Sequence, residues 1–282
     1  MNYRHAFHAG NFADVVKHAL LIDLLAHFKS KDAGFAVLDT HAGKGLYELN
    51  AEEAQKTGEW RDGIGRLIPP RIAHGAALPD VLTPYINVMR RFGAPQSYPG
   101  SPSLIASLLR PQDALICSEL HPDDAAALAR LFRSNRQVSV HHLDGYRAVK
   151  AFLPPRLIGR GLVLIDPPFE KTNEFDRLRA AIFMARRRFP ASVVAAWYPI
   201  KHRAPVREFQ DMLIETGLKK LLTCEFLLDP PTDPTRLNGC GLLVANPHYR
   251  FDENARHILE ALAPYLQQEV PPEISVRWLV EA

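Results

Sequence analysis

Cysteine is scarce: only Cys117, Cys224 and Cys240 occur in 282 residues. Their number is odd and no C-x-x-C spacing is present. That excludes a disulfide framework or a zinc ribbon and reads as buried thiols of a reducing compartment. Long hydrophobic runs are also missing. Nothing nears the roughly 20 apolar residues of a membrane span, and the start, Met1-Asn-Tyr-Arg-His5, opens no apolar signal segment. A cytoplasmic location without a membrane partner is expected. Charge of one sign is not in large excess. The net +3 does not by itself identify a nucleic-acid partner. Thr40-His41-Ala42-Gly43-Lys44-Gly45 lacks the third glycine of G-x-G-x-x-G and the Ser or Thr of a P-loop. Metal-ligand spacings are absent as well. His141 and His142 are neighbours, so in a strand they face opposite ways, and no metal is expected.

What is present is a regular alternation. Hydrophobic content of 47% and charged content of 23% are those of an ordinary globular chain. Residues 12–30 carry Val16, Leu20, Leu24 and Phe28 at i+4 spacing, a helix with one apolar stripe. His18 falls off that stripe, on what reads as a polar face. Strands are expected at 35–39, 114–119, 137–143, 161–166 and 192–198, the last closed by Pro199, with helices between them. Two more, at 219–228 and 239–246, are too close for a crossover helix and should be antiparallel. A helix near 252–268 follows, with no functional reading. This pattern predicts an α/β fold. It fits the Rossmann-like class I S-adenosylmethionine-dependent methyltransferases, with a seven-stranded, mostly parallel sheet and an antiparallel last strand, better than a six-stranded dinucleotide fold. Residues 1–45 and 98–282 would form that domain. Residues 46–97, with helical stretches at 48–57 and 79–92, would be a helical insertion on its ligand side.

The most informative stretch is Gly161-Leu-Val-Leu-Ile-Asp166-Pro167-Pro168-Phe169. An unbroken apolar run marks a strand covered on both faces, and two prolines without N–H groups end its pairing. A carboxylate, a carbonyl and an aromatic ring are left at the carboxyl end of a parallel strand, where such sheets bind ligands. An exocyclic nucleobase amine suits this tip. Its lone pair is delocalised into the ring. Donating to Asp166 and to the Pro167 carbonyl draws the nitrogen toward sp³ geometry, positions it for attack, and lets Asp166 take the proton. Phe169 can stack on the extruded base. The pattern does not separate adenine N6 from cytosine N4, or RNA from DNA. A second Asp229-Pro230-Pro231 lacks the aromatic residue and reads as a rigid turn away from the site.

Other strand ends carry acids. Glu119, after the second strand, is placed to accept from ribose hydroxyls, and Asp144-Gly145, after the third, from an adenine amino group. Gly43 lets the first loop turn tightly and approach a ligand. Ser101 before Pro102 reads as an N-cap of a helix aimed at that loop. Basic residues gather at 186–188, at Lys201-His202-Arg203 with Arg207, and at Arg130, Arg133 and Arg136. Beside a base-sized site they favour a nucleic-acid substrate.

Segments along the whole chain strengthen this reading. They are 3–18, Leu38-Asp-Thr-His-Ala-Gly43, Tyr98-Pro-Gly-Ser-Pro102, Ser118-Glu-Leu-His-Pro122, Asp144-Gly145, Leu164-Ile-Asp-Pro-Pro-Phe169 and Trp197-Tyr-Pro199. In these the sequence closely resembles the RlmJ family of 23S ribosomal RNA adenine-N6 methyltransferases. That family often has Tyr where this chain has Phe169, and both rings stack. The resemblance implies cofactor contacts from His18, His41, Ser101, Glu119, Asp144 and Gly145, with S-adenosylmethionine as cofactor and Asp166 as the catalytic group. It implies that Tyr3, with its neighbour Arg4, meets the substrate adenosine. It also implies that 46–97 lies near the RNA, and that the protein acts on 23S rRNA without metal; a monomer is expected. A DNA adenine-N6 methyltransferase and a non-catalytic RNA-binding module on the same fold are the alternatives.

Overall fold

The computed structural model describes residues 4–68 and 78–281. Among these, eight strands form one sheet: β1 (Ala36–Asp39), β2 (Ala114–Glu119), β3 (Val138–His142), β4 (Gly161–Ile165), β5 (Ser192–Ile200), β6 (Leu221–Leu227), β7 (Gly239–Ala245) and β8 (Glu273–Val280). Their order across the sheet is β8-β6-β7-β5-β4-β1-β2-β3. β1 to β5 pair in parallel, and every pairing from β5–β7 outward is antiparallel. This is the class I methyltransferase sheet with one strand more than the seven expected. The addition is β8, which closes the edge beside β6. Its partly exposed residues give it no continuous apolar run to read in the sequence.

The core follows from period two in fully buried strands. Leu162 and Leu164 of β4 pack on one face and Val163 and Ile165 on the other. Helices Phe12–Lys29, Ser101–Leu108, Pro122–Phe132 and Phe251–Leu266 cover the first face. Gly145–Phe152, Glu174–Arg188 and Arg203–Glu215 cover the second. β5 does not end at Pro199 as expected. It runs on to Ile200, paired with β7 alone beyond Ala196. Ile200 bonds toward β7, so by alternation the missing N–H of Pro199 faces the side that β4 has vacated.

The helix Phe12–Lys29 has no polar face in its first half: Asp14, Lys17 and His18 are all buried. The placement of His18 on a polar face is therefore corrected. The chain between Gly45 and Tyr98, in its described residues, covers that side. It begins and ends in a two-stranded ribbon, Leu46–Glu48 with Ser97–Pro99, that the sequence reading does not contain. Its helices include Glu52–Thr57 and Thr83–Arg91. The Ile64 N–H bonds to the Gly10 carbonyl, and Tyr98 reaches His18.

Candidate active site

The carboxyl ends of β1, β2, β3 and β4 open into one cavity of about 850 Å³. It is lined by His18, His41, Gly43, Ser101, Glu119, Asp144, Gly145, Asp166, Pro167 and Phe169. Tyr3 lies outside the described residues. Arg4 does not line the cavity but lies 3.7 Å from Asp124, which does.

Asp166 stands where β4 stops. Its Oδ2 accepts from Lys17 Nζ at 2.6 Å, and Lys17 also donates to Asp14 Oδ1 at 2.8 Å. Asp14 further accepts from the Gly10 N–H and pairs with His5, both at 2.9 Å. Burial would lower Lys17, but the two carboxylates outweigh it and raise its pKa. Burial would likewise raise Asp14, but His5 and Lys17 hold it well below the usual range. A buried, charged relay thus ends on the carboxylate that the sequence singles out. Phe169 has φ of 52°, a strained left-handed conformation for an aromatic residue. Its ring packs edgewise on Phe175 (4.9 Å) and Trp197 (5.9 Å). Proline pairs force the abrupt end of β4, and that turn carries the ring to the cavity wall.

The opposite half of the cavity is acidic and rich in backbone donors. Gly43 (φ 61°) donates its N–H to Glu119 Oε2 at 2.7 Å, and the His121 N–H donates to Oε1 at 2.7 Å. A Cβ at Gly43 would lie 2.2 Å from the Tyr47 hydroxyl, so only glycine fits. Burial raises the Glu119 carboxyl against the pull of these donors. Asp144 caps helix Gly145–Phe152 by accepting from the Arg147 N–H (3.0 Å) and meets Arg177 at 3.1 Å. A Cβ at Gly145 would strike the Thr40 carbonyl at 2.2 Å. Ser101 is not an N-cap, since Gly100 holds that position. Its hydroxyl donates to Asp39 Oδ2 at 2.6 Å.

Burial depresses His18 to about 3 and His41 to about 4, so both are neutral at neutral pH. His18 Nδ1 is 2.9 Å from the Tyr98 hydroxyl, while its Nε2 is buried without a partner. An orphaned buried polar atom in the cavity wall is what a polar ligand would satisfy. The acid at the end of β2, the glycine turn and this atom fit the ribose, adenine and amino-acid parts of S-adenosylmethionine. The volume leaves room for a base as well. Among the described residues no group of three or more His, Cys, Asp or Glu is arranged to hold a metal.

Two sequence readings change. The Asp229-Pro230-Pro231 turn is a turn, with the Thr232 N–H bonded to the Pro230 carbonyl, but it is not remote: Asp229 and Arg236 line the same cavity. The loop joining β6 to β7 folds back over β5, which sequence distance does not show. The basic clusters divide. Arg186 and Arg188 bind the carbonyls of Ser192 and Leu153, and Arg203 binds Glu225 and Glu273. Lys201 lines the cavity, as does Lys171. Sequence reasoning missed Lys17, Asp14, His5, Asp39 and Arg177. One signal was available for the first two. A helix apolar almost all round, with an Asp and a Lys three apart in it, is a buried helix whose charges must be paired.

Comparison with known proteins gives the family. A family model described as "Ribosomal RNA large subunit methyltransferase D, RlmJ" matches residues 32–280. The Haemophilus influenzae "Ribosomal RNA large subunit methyltransferase J" is 38% identical over 285 residues, spanning 100% of this chain and 98% of the relative. The Escherichia coli protein of the same name is 37% identical over 287 residues, spanning 99% of each. A crystal structure from Legionella pneumophila superposes with a TM-score of 0.84 at 33% identity, covering 96% of this chain and 98% of that one. The chain belongs to the RlmJ family of ribosomal RNA large subunit methyltransferases.

Proposed function

We propose that this protein transfers a methyl group from S-adenosylmethionine to the exocyclic N6 of an adenosine in 23S rRNA. The observation that carries the reading is the Asp166 carboxylate, placed at the end of β4 in the cavity and held by Lys17 at 2.6 Å. The names of the Haemophilus influenzae and Escherichia coli relatives support the rRNA substrate.

When bound, the cofactor supplies an electrophilic methyl group on a sulfonium sulfur. Glu119 accepts from the ribose hydroxyls, and Asp144 with the Gly145 N–H meets the adenine. Gly43, His18, His41 and Ser101 complete that half. Asp166 and the Pro167 carbonyl accept the two N–H bonds of the substrate amine, which frees the nitrogen lone pair for displacement. The proton released from nitrogen goes to Asp166. Lys17 occupies one lone pair of Oδ2, which fixes the carboxylate and leaves its other acceptor sites to the amine. Phe169 stacks on the extruded base, with Trp197 behind it, and Tyr3 and Arg4 are further contacts to the adenosine by the family resemblance. Glu59 and Asp62 also line the cavity, which brings the segment after β1 beside the substrate site.

The test is transfer of labelled methyl to protein-free 23S rRNA from a strain lacking the gene, with genomic DNA alongside and digestion to nucleosides. Label in N6-methyladenosine from rRNA alone, lost in Asp166→Ala, is expected. Label in DNA would favour a DNA methyltransferase. RNA binding without transfer would leave an RNA-binding module.

A further inference from the structure

We propose that Arg177 is the positioning residue of the cofactor half of the cavity, acting through Asp144. Asp144 sits at a helix N-cap, where a short side chain has more than one use. Its Oδ1 is committed to the Arg147 N–H at 3.0 Å. Its Oδ2 accepts from Arg177 Nη2 at 3.1 Å. The other arm of the guanidinium, Nη1, donates to Glu174 Oε1 at 3.1 Å. Glu174 is 2% exposed and also accepts from the Tyr146 hydroxyl at 2.7 Å. The guanidinium carbon lies 4.2 Å from the centre of the Tyr146 ring, and that ring meets His41 edge-on at 5.3 Å.

One planar cation therefore bridges two carboxylates and lies on an aromatic face. All of these side chains line the cavity: His41 from the loop after β1, Asp144 and Tyr146 after β3, and Glu174 and Arg177 after β4. Without Arg177 the two acids would repel, and Asp144 would keep only its capping bond. With it, both oxygens are fixed, and each retains a lone pair for a ligand donor. Lysine could not do the same. Its ammonium offers no planar face to Tyr146 and no fork to span Asp144 and Glu174. The inference rests on the reading of Asp144 as the cofactor's adenine contact. It adds that this contact is made by a pair, and that the second member belongs to the helix following the catalytic turn.

Calorimetric dissociation constants for S-adenosylmethionine and S-adenosylhomocysteine test this without reference to turnover. They are compared among wild type, Arg177→Met, Arg177→Lys, Asp144→Asn and Asp144→Asn/Arg177→Met. Loss of one charge-assisted hydrogen bond in a partly open site predicts about tenfold weaker binding for Arg177→Met, and less for Arg177→Lys. Once Asp144 is Asn, removing Arg177 should cost under about threefold more, because the two act as one unit. Additive losses, or an unchanged constant in Arg177→Met, would overturn the proposal. An unchanged constant in Asp144→Asn would instead remove the assignment beneath it. Glu174→Gln/Arg177→Met controls for the acid left stranded in the fold. This variant should regain thermal stability and remain weak in binding. Recovery of affinity in it would show that Arg177 serves Glu174 alone.

Discussion

Replacing Lys17 by Met tests the relay on which the catalytic reading depends. The Lys17 side chain is 6% exposed and makes charged hydrogen bonds of 2.8 Å to Asp14 and 2.6 Å to Asp166. Met keeps the length and apolar stem and deletes the charge. Breaking a buried pair costs about 3–5 kcal/mol because a charge is left without its partner. Asp14 retains His5 and the Gly10 N–H, and Asp166 is partly open to water, so the lower end, about 3 kcal/mol, is expected. For a domain of this size that corresponds to a fall in melting temperature of about 6–12 °C. Asp14→Asn/Lys17→Met should recover most of the loss, since it neutralises the stranded acid. Methyl transfer, measured well below either transition, should not recover. Asp166 is then unheld, and a misplaced reacting group costs on the order of 10²-fold. Calorimetry of the three proteins and single-turnover transfer to 23S rRNA are the measurements. An unchanged melting temperature in Lys17→Met would refute the burial argument. Full transfer per folded molecule would show that Lys17 supports the fold and not the carboxylate.

The buried Asp39 carboxyl makes stability depend on pH. Burial raises it to about 7, against the Ser101 hydroxyl, which pulls it down. A carboxyl with its folded pKa above the unfolded value near 3.8 binds its proton more tightly when folded. Its contribution is present at low pH and lost as pH rises from about 4 to about 7, on the order of 4 kcal/mol. Urea midpoints at pH 5 and pH 8 should therefore differ more in wild type than in Asp39→Asn, and parallel curves would refute the assignment. At the cavity mouth, Lys171 and Lys201 are exposed and placed to meet phosphates. Lys171→Ala/Lys201→Ala should weaken RNA binding and flatten the dependence of log K on log salt by about 0.7–0.9 per cation removed. An Arg130/Arg133/Arg136 triple alanine variant, altered at the end of helix Pro122–Phe132 and in the turn after it, outside the cavity, should leave the slope unchanged.

Much of the fold was legible because buried parallel strands write themselves as unbroken apolar runs between turn residues. β1, β4, β5 and β7 fall within such runs, whereas β3, Val-Ser-Val-His-His at the other edge, is only partly buried and has none. β8 has none either, because an edge strand half open to water needs no such run. The strand-end acids Glu119 and Asp144 and the tip Asp166-Pro-Pro-Phe169 could be named in advance for a related reason. In a doubly wound sheet the carboxyl ends of parallel strands converge, so chain position along a strand already implies position in the site. Long-range pairing carries no such mark. Ser101 read as a cap because its neighbours suit one, while its hydroxyl in fact meets Asp39, 62 residues earlier in the chain.

The amino-acid sequence alone thus determined the order of elements, the position of the cavity and the residue types at its strand ends, since all three follow from local periodicity and chain direction. Only the tertiary structure decided how those residues are held. Described residues between Gly45 and Tyr98 bury the face of the helix Phe12–Lys29 that would otherwise meet water, so Lys17 and His18 line the cavity instead of a solvated surface. The loop between β6 and β7 folds back to bring Asp229 and Arg236 into the same cavity, and Arg177 joins the helix Glu174–Arg188 to Asp144. Each of these couples residues far apart in the chain, where the free energy of burying and pairing charges, and not local propensity, selects the partner.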